Sequence, residues 1–236
     1  KRFAYLLLFT LVWGGEALGQ TDPLVEALRK YQGGALIEAK SLVDEAVASP
    51  KHSTNAEAWL LRGFVYKDVY KTTAAVARAD TLRNEAITSL ELCMRLDTTD
   101  TYTANARQAY DYLARTYYND AAKALGEMDE DRAQLVFARY KEATLRLDSQ
   151  TDLRTREVEF TNALGTVYTK QFNANRTDTI PFGRAVKAYM AVLGMDRENY
   201  GANYNLATLF FNRGVYNIQR IDAEDEIPTI MQIQEA

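Results

Sequence analysis

Apolar and polar residues in this chain recur with the period of an α-helix, and within that period large and small side chains follow a fixed order. In Ala56 to Tyr66, A-E-A-W-L-L-R-G-F-V-Y, Trp59, Gly63 and Tyr66 stand at i, i+4 and i+7. A ring, a gap and a second ring therefore share one helical face, and a neighbouring helix can sit in the gap. The same order returns at Tyr110, Ala114 and Tyr117, at Thr161, Gly165 and Tyr168, and at Asn203, Ala207 and Phe210. Each of the first three is followed by a second predicted helix whose residues answer it. Ala86, Leu90 and Cys93 follow the first copy; Ala185, Tyr189 and Val192 follow the third; a weaker stretch, Phe137 to Asp148, follows the second and ends in the same R-L-D as Arg95 to Asp97.

These residues resemble the tetratricopeptide repeat, whose W-x2-L-G-x2-Y and A-x3-F-x2-A signatures are matched here in pieces. The best local match is Asn203 to Gly214, where Leu206, Ala207, Phe210 and Gly214 fall on pattern positions. The resemblance implies an all-α fold, a right-handed superhelical solenoid of antiparallel helix hairpins. Successive copies stand 51, 51 and 42 residues apart, against about 34 for the family. A surplus near 11 residues between the two helices of a hairpin is close to three helical turns. Lengthening both helices around their turn would absorb it without changing the buried face, and the Ala-rich stretch Lys67 to Arg83, free of Gly and Pro, fits that reading. The chain is thus similar to a long-helix variant of the family, of the kind exported in the Bacteroidetes group. Hairpins are expected at about 22–49, 56–98, 102–149, 153–197 and 200–236. The last is expected to be completed beyond Ala236, since a solenoid ends in a capping element.

The opening of the chain reads differently. Lys1-Arg2 precede the apolar run Phe3 to Trp13, and small residues follow at Ala17 and Gly19. This order predicts a secretory signal peptide, or an N-terminal hydrophobic segment, over residues 1–19. Thr21-Asp22-Pro23 is a helix start, with Asp22 as cap and Pro23 in the first turn. Ser49 to Asn55 is a polar connection holding the single histidine, His52, which is expected to be solvated. Asp129-Glu130-Asp131 suits the N-terminus of a helix by charge and capping. Asn173 to Pro181 reads as a long irregular segment. Within it Asn175-Arg176-Thr177 has the N-glycosylation form. Asp178-Thr179-Ile180 is similar to the O-glycosylation sequon of the Bacteroidetes group, which makes Thr179 a candidate for modification.

Composition narrows the function. A net charge of −4 without a basic stripe argues against nucleic acid as a partner. One cysteine and one histidine leave no material for a Ser-His-Asp or Cys-His arrangement or a cysteine-histidine zinc site, and no glycine-rich phosphate loop is present. Cys93 stands at a small-residue position and reads as a buried hydrophobe. The expectation is a non-enzymatic chain with no cofactor and no metal. From the resemblance, the concave wall would be lined by Leu60, Phe64, Asp111, Arg115, Asn162, Thr166, Tyr204 and Thr208. A peptide or protein would bind there, and a membrane would be touched only by an uncleaved N-terminus. The reading is an exported scaffold, periplasmic, outer-membrane-associated or extracellular. The alternatives are a structural subunit of a larger envelope or secretion-type assembly held by its outer or edge surfaces, and a glycan-binding module suggested by 15 tyrosines.

Overall fold

The structure is a computed structural model that describes residues 21–224. The expected signal peptide and the second helix of the last hairpin lie outside these residues. Among the described residues there are nine helices: α1 (Pro23–Gln32), α2 (Leu36–Ala48), α3 (Ala56–Thr72), α4 (Val76–Leu96), α5 (Thr103–Gly126), α6 (Glu130–Leu147), α7 (Arg154–Ala174), α8 (Ile180–Met195) and α9 (Tyr200–Glu224). They pack as sequential antiparallel neighbours. The described residues divide into two compact units, 21–109 and 110–224, so the border falls inside α5.

In the first unit α1 packs on α2, α2 on α3 and α3 on α4. Asp22 caps α1 by accepting the Leu24 N–H at 3.0 Å, and Pro23 occupies the first turn. Gly33-Gly34 then reverse the chain, Gly34 at φ +78, a backbone conformation that glycine adopts without a steric penalty. Asn55 caps α3, accepting from Glu57 N at 2.8 Å and Ala58 N at 3.4 Å. Only residues 73–75 separate α3 from α4, so the long arms meet across a tight turn. The face carrying Ala39, Val43 and Ala46 in α2, and that carrying Ala86, Leu90 and Cys93 in α4, is buried throughout.

The crossing of α3 and α4 depends on Gly63. A Cβ placed there would stand 2.6 Å from Leu90 Cδ2 and 2.7 Å from its Cγ. The missing side chain is what lets Leu90 seat itself against the α3 backbone. At the far end of α4, Asp97 accepts from the backbone N–H groups of Thr101, Tyr102 and Thr103 at 3.2, 2.7 and 2.7 Å, and from the Thr103 hydroxyl at 2.9 Å. It thereby satisfies free donors at the start of α5. Desolvation pushes this carboxyl up, but the hydrogen bonds from Tyr102 and Thr103 outweigh it and bring it to about 2.

His52 is not solvated. It is 6% exposed, its Nε2 donating to the Asp22 carboxylate at 2.8 Å, because residues 49–55 fold back onto the N-terminus of α1. Lys51 reaches the same carboxylate at 2.5 Å.

In the second unit α5 meets α6 through Tyr118, 6.1 Å from Phe137 and 5.3 Å from Tyr140 between ring centroids. Asp129 caps α6, accepting from Arg132 N at 3.1 Å. α7 packs on α8, and α8 and α7 both touch α9. Gly165 does for α7 and α8 what Gly63 does in the first unit: a Cβ there would lie 2.7 Å from Tyr189 Cε1. The irregular stretch expected over Asn173 to Pro181 is shorter. α7 runs to Ala174 and α8 begins at Ile180 with Pro181 in its first turn, leaving residues 175–179 as the loop. Proline at the start of a helix costs nothing, because that N–H has no partner in the helix. Cys93 is buried and free, its thiol pushed up to about 12 by burial and the nearby Asp97 carboxylate.

Candidate functional site

The second unit holds an open groove of about 370 Å³ between α6, α7 and the end of α8. Its floor is the Phe137 and Phe160 pair, stacked with centroids 4.0 Å apart and planes within 5°. Ala138, Thr161 and Leu164 form the apolar walls, and Met195 closes one end. Lys141 of α6 bonds Glu157 of α7 at 2.7 Å on the rim, so the groove carries an ion pair whose members are each about one-third exposed. Gln134 stands at the opposite end, 3.4 Å from the Tyr168 hydroxyl. The combination of an aromatic floor with a few polar groups at the rim suits an apolar side chain with a polar neighbour.

Aligning Gly63 with Gly165 explains why this space is open. Thr161 then corresponds to Trp59, and Leu164 to Arg62. In α3 the Trp59 indole fills its place and donates to the Ser53 carbonyl at 2.8 Å. Arg62 bridges three helices: its Nε bonds Asp44 of α2 at 2.8 Å, its Nη2 bonds Glu85 of α4 at 2.8 Å and its Nη1 bonds Ser89 at 2.7 Å. Its guanidinium also lies 4.2 Å from the Tyr66 ring centroid. Tyr66 donates to Asp44 at 2.8 Å, and Lys40 bonds the same carboxylate at 3.0 Å. Burial alone would raise the Asp44 carboxyl, but the hydrogen bonds from Lys40, Tyr66 and Arg62 hold it below the ordinary range. A ring and a charged network therefore fill in the first unit the space that a threonine and a leucine leave open in the second.

The residues expected to line a concave wall have varied surroundings. Leu60 is 2% exposed and lies in the α3 core, whereas Phe64 is half-buried with the Lys67 ammonium 4.8 Å from its ring. Asp111 and Arg115 pair with each other at 2.8 Å on the accessible face of α5. Asn162 and Thr166 are half-buried on α7; the Asn162 amide faces Gly201 of α9, and the Thr166 hydroxyl bonds the Asn162 carbonyl at 3.1 Å. Tyr204 is exposed and stacks on Tyr200 at 6.0 Å, while Thr208 is half-buried on the same helix. Thr179 is exposed at the N-cap of α8 and makes no capping bond with its side chain. The Phe137/Phe160 groove was missed from the sequence. The one signal that pointed to it was the absence of a large ring at Thr161.

Among the described residues no three His, Cys, Asp or Glu side chains converge to hold a metal, and no helix is long and apolar enough to cross a membrane. No protein-family model and no curated protein matches this chain.

Proposed function

We propose that the chain is a non-enzymatic protein-interaction scaffold, a tetratricopeptide-like solenoid of long hairpins, exported to the periplasm, outer membrane or exterior of the cell. The observation that carries the binding role is the α6/α7 groove, with its stacked phenylalanine floor and its Lys141–Glu157 rim. An aromatic or aliphatic side chain of a peptide partner would enter between Thr161 and Ala138. Asp111, Arg115, Asn162, Thr166, Tyr204 and Thr208 extend the candidate surface in the same unit; in the first unit Phe64 remains a candidate, whereas Leu60, buried in the α3 core, has no surface to offer a partner.

Thr161→Trp tests this directly, since it places in α7 the residue that α3 carries at the equivalent position. Affinity capture from envelope extracts should yield a partner with the native chain and lose it with Thr161→Trp, while an exposed control, Thr155→Trp, keeps it. Equal capture by both variants would remove the groove from consideration.

A second reading, a structural subunit held through an outer surface, is favoured by the exposed aromatic residues of α9, among them Tyr200, Tyr204 and Phe211. Glycan binding lost on Tyr204→Ala would instead favour a carbohydrate-binding module.

A further inference from the structure

α9 carries an apolar stripe that nothing among the described residues covers. Tyr200, Tyr204, Ala207, Phe211, Gly214 and Ile218 alternate in steps of four and three, the spacing that keeps side chains on one seam of a helix. Tyr200 is 79% exposed, Tyr204 59%, Phe211 70% and Ile218 60%. Ala207 and Gly214 are exposed between them, and nothing lies within 4 Å of where a Gly214 Cβ would stand. The opposite side of α9 is occupied. Ala202 and Leu209 are buried, Phe210 meets the edge of Phe182 at 5.3 Å, and Arg213 lies 4.1 Å from the Phe182 ring centroid.

The repeat says what kind of element belongs on the stripe. Ala207 corresponds to Gly165 and Gly63, the positions at which α7 receives Tyr189 and α3 receives Leu90, each from an antiparallel helix. α9 therefore presents the face that its two counterparts use to seat an antiparallel neighbour with a large apolar residue.

The stripe also matches its own reverse. Run antiparallel against a second α9 about residue 209, it sets Tyr204 opposite Gly214, Phe211 opposite Ala207 and Tyr200 opposite Ile218. Two-fold symmetry then repeats all three contacts. Large side chains meet small ones in the middle, and at the ends the tyrosine hydroxyls reach water. A parallel pairing would stack Phe211 on Phe211 and leave a void at Gly214. Along residues 200–219 the only charged side chain is Arg213, on the far side of α9. Two chains, each of net charge −4, therefore bring no like charges together at this seam. The seam spans the 19 residues from Tyr200 to Ile218, about 27 Å of helix.

We propose that α9 is a self-association surface through which two copies of this chain pair antiparallel, Phe211 of each seated over Ala207 of the other. The proposal stands apart from the α6/α7 groove and needs no other protein.

Sedimentation of the full chain over a concentration series tests it. The native chain should pass from monomer to dimer. Ala207→Lys and Phe211→Glu should each weaken association by about tenfold or more, with an unchanged far-UV spectrum, because both residues are exposed in the monomer. An equimolar mixture of the two variants should associate again. In the antiparallel mixed dimer the introduced ammonium faces the introduced carboxylate, and the second Ala207–Phe211 contact stays native. A native chain that sediments as a monomer throughout overturns the proposal, as does a dimer indifferent to both variants. A mixture no better than its components overturns it too. Any of these would leave another protein, or residues that follow α9, as what the stripe receives.

Discussion

The hairpins α3/α4 and α7/α8 cross through the same backbone gap but fill it and edge it with different chemistry. At Gly63 the incoming residue is Leu90, whose branched end can rotate to find space; at Gly165 it is Tyr189, a flat ring held against α7. The Tyr189 hydroxyl lies 3.1 Å from the Thr169 hydroxyl, whereas Leu90 needs no polar partner. Around the gap the cation changes helix. In the first unit the cation is Arg62 on the first helix and its anion Glu85 is on the second; in the second unit Arg184 occupies the position of Glu85 and reaches Glu130 of α6 at 3.2 Å. Tyr66 and Tyr168 are common to both, each with a guanidinium near its ring, at 4.2 and 5.7 Å, and each with its hydroxyl near the preceding helix. A close crossing thus demands a small residue and a large one, while the polar rim is free to vary. The rim is where the two hairpins acquire different surfaces: a closed network around Arg62, an open groove beside Leu164.

Deleting the residue that fills each gap should have the largest effect. Leu90→Ala and Tyr189→Ala should each lower stability by about 2–5 kcal/mol in thermal or denaturant unfolding, because both side chains are fully buried and leave a cavity. If one loss proves trivial, that gap is not closed as described. Filling the gaps from the other side comes next. Gly63→Leu and Gly165→Leu should cost roughly 1–3 kcal/mol by overpacking. Combining Gly63→Leu with Leu90→Ala should cost less than the sum, since the two changes exchange volume across one contact. Strict additivity would show that Gly63 and Leu90 do not touch.

The helix ends offer a smaller contrast. Asp97→Ala should cost about 2 kcal/mol, as it removes a carboxylate accepting five hydrogen bonds. Asp196→Ala, whose carboxylate accepts one side-chain bond from Asn199 at 3.0 Å, should cost about 1 kcal/mol or less. The Asp97 contribution is present above its ordinary value of 3.8 and is lost as pH falls toward about 2, because the folded state holds the carboxyl below its unfolded value. The melting temperature of the native chain should therefore fall between those limits more steeply than that of Asp97→Ala. The smallest stability effect is expected from Thr161→Trp, within about 0.5 kcal/mol, because the ring enters an open groove. A large destabilisation would mean that the space at Thr161 is not available.

Much of the helical framework could be read from residue order. Asp22-Pro23 and Asp129 mark helix starts because capping is local chemistry, decided within three residues of chain. The gaps at Gly63 and Gly165 and their answers at Leu90 and Tyr189 were legible because both halves of each contact follow helical spacing. His52 was misread for the opposite reason. Its polar neighbours in the chain suggested solvent, and its partner Asp22 is 30 residues away. The Arg62 network joins α2, α3 and α4, and no spacing rule ties Asp44 to Glu85. The loop before α8 was overestimated because Pro181 reads as a helix breaker unless it falls in a first turn.

Periodicity alone established that this chain is helical, where its small and large residues meet, and that consecutive helices would turn back on one another. Those properties depend on neighbours three, four and seven residues apart, which are visible in the order of residues. The Phe137/Phe160 groove, the burial of His52 against Asp22 and the bare face of α9 were decided only in three dimensions. Each depends on which distant side chain fills a space or leaves it empty, and volume left over between packed helices has no period along the chain.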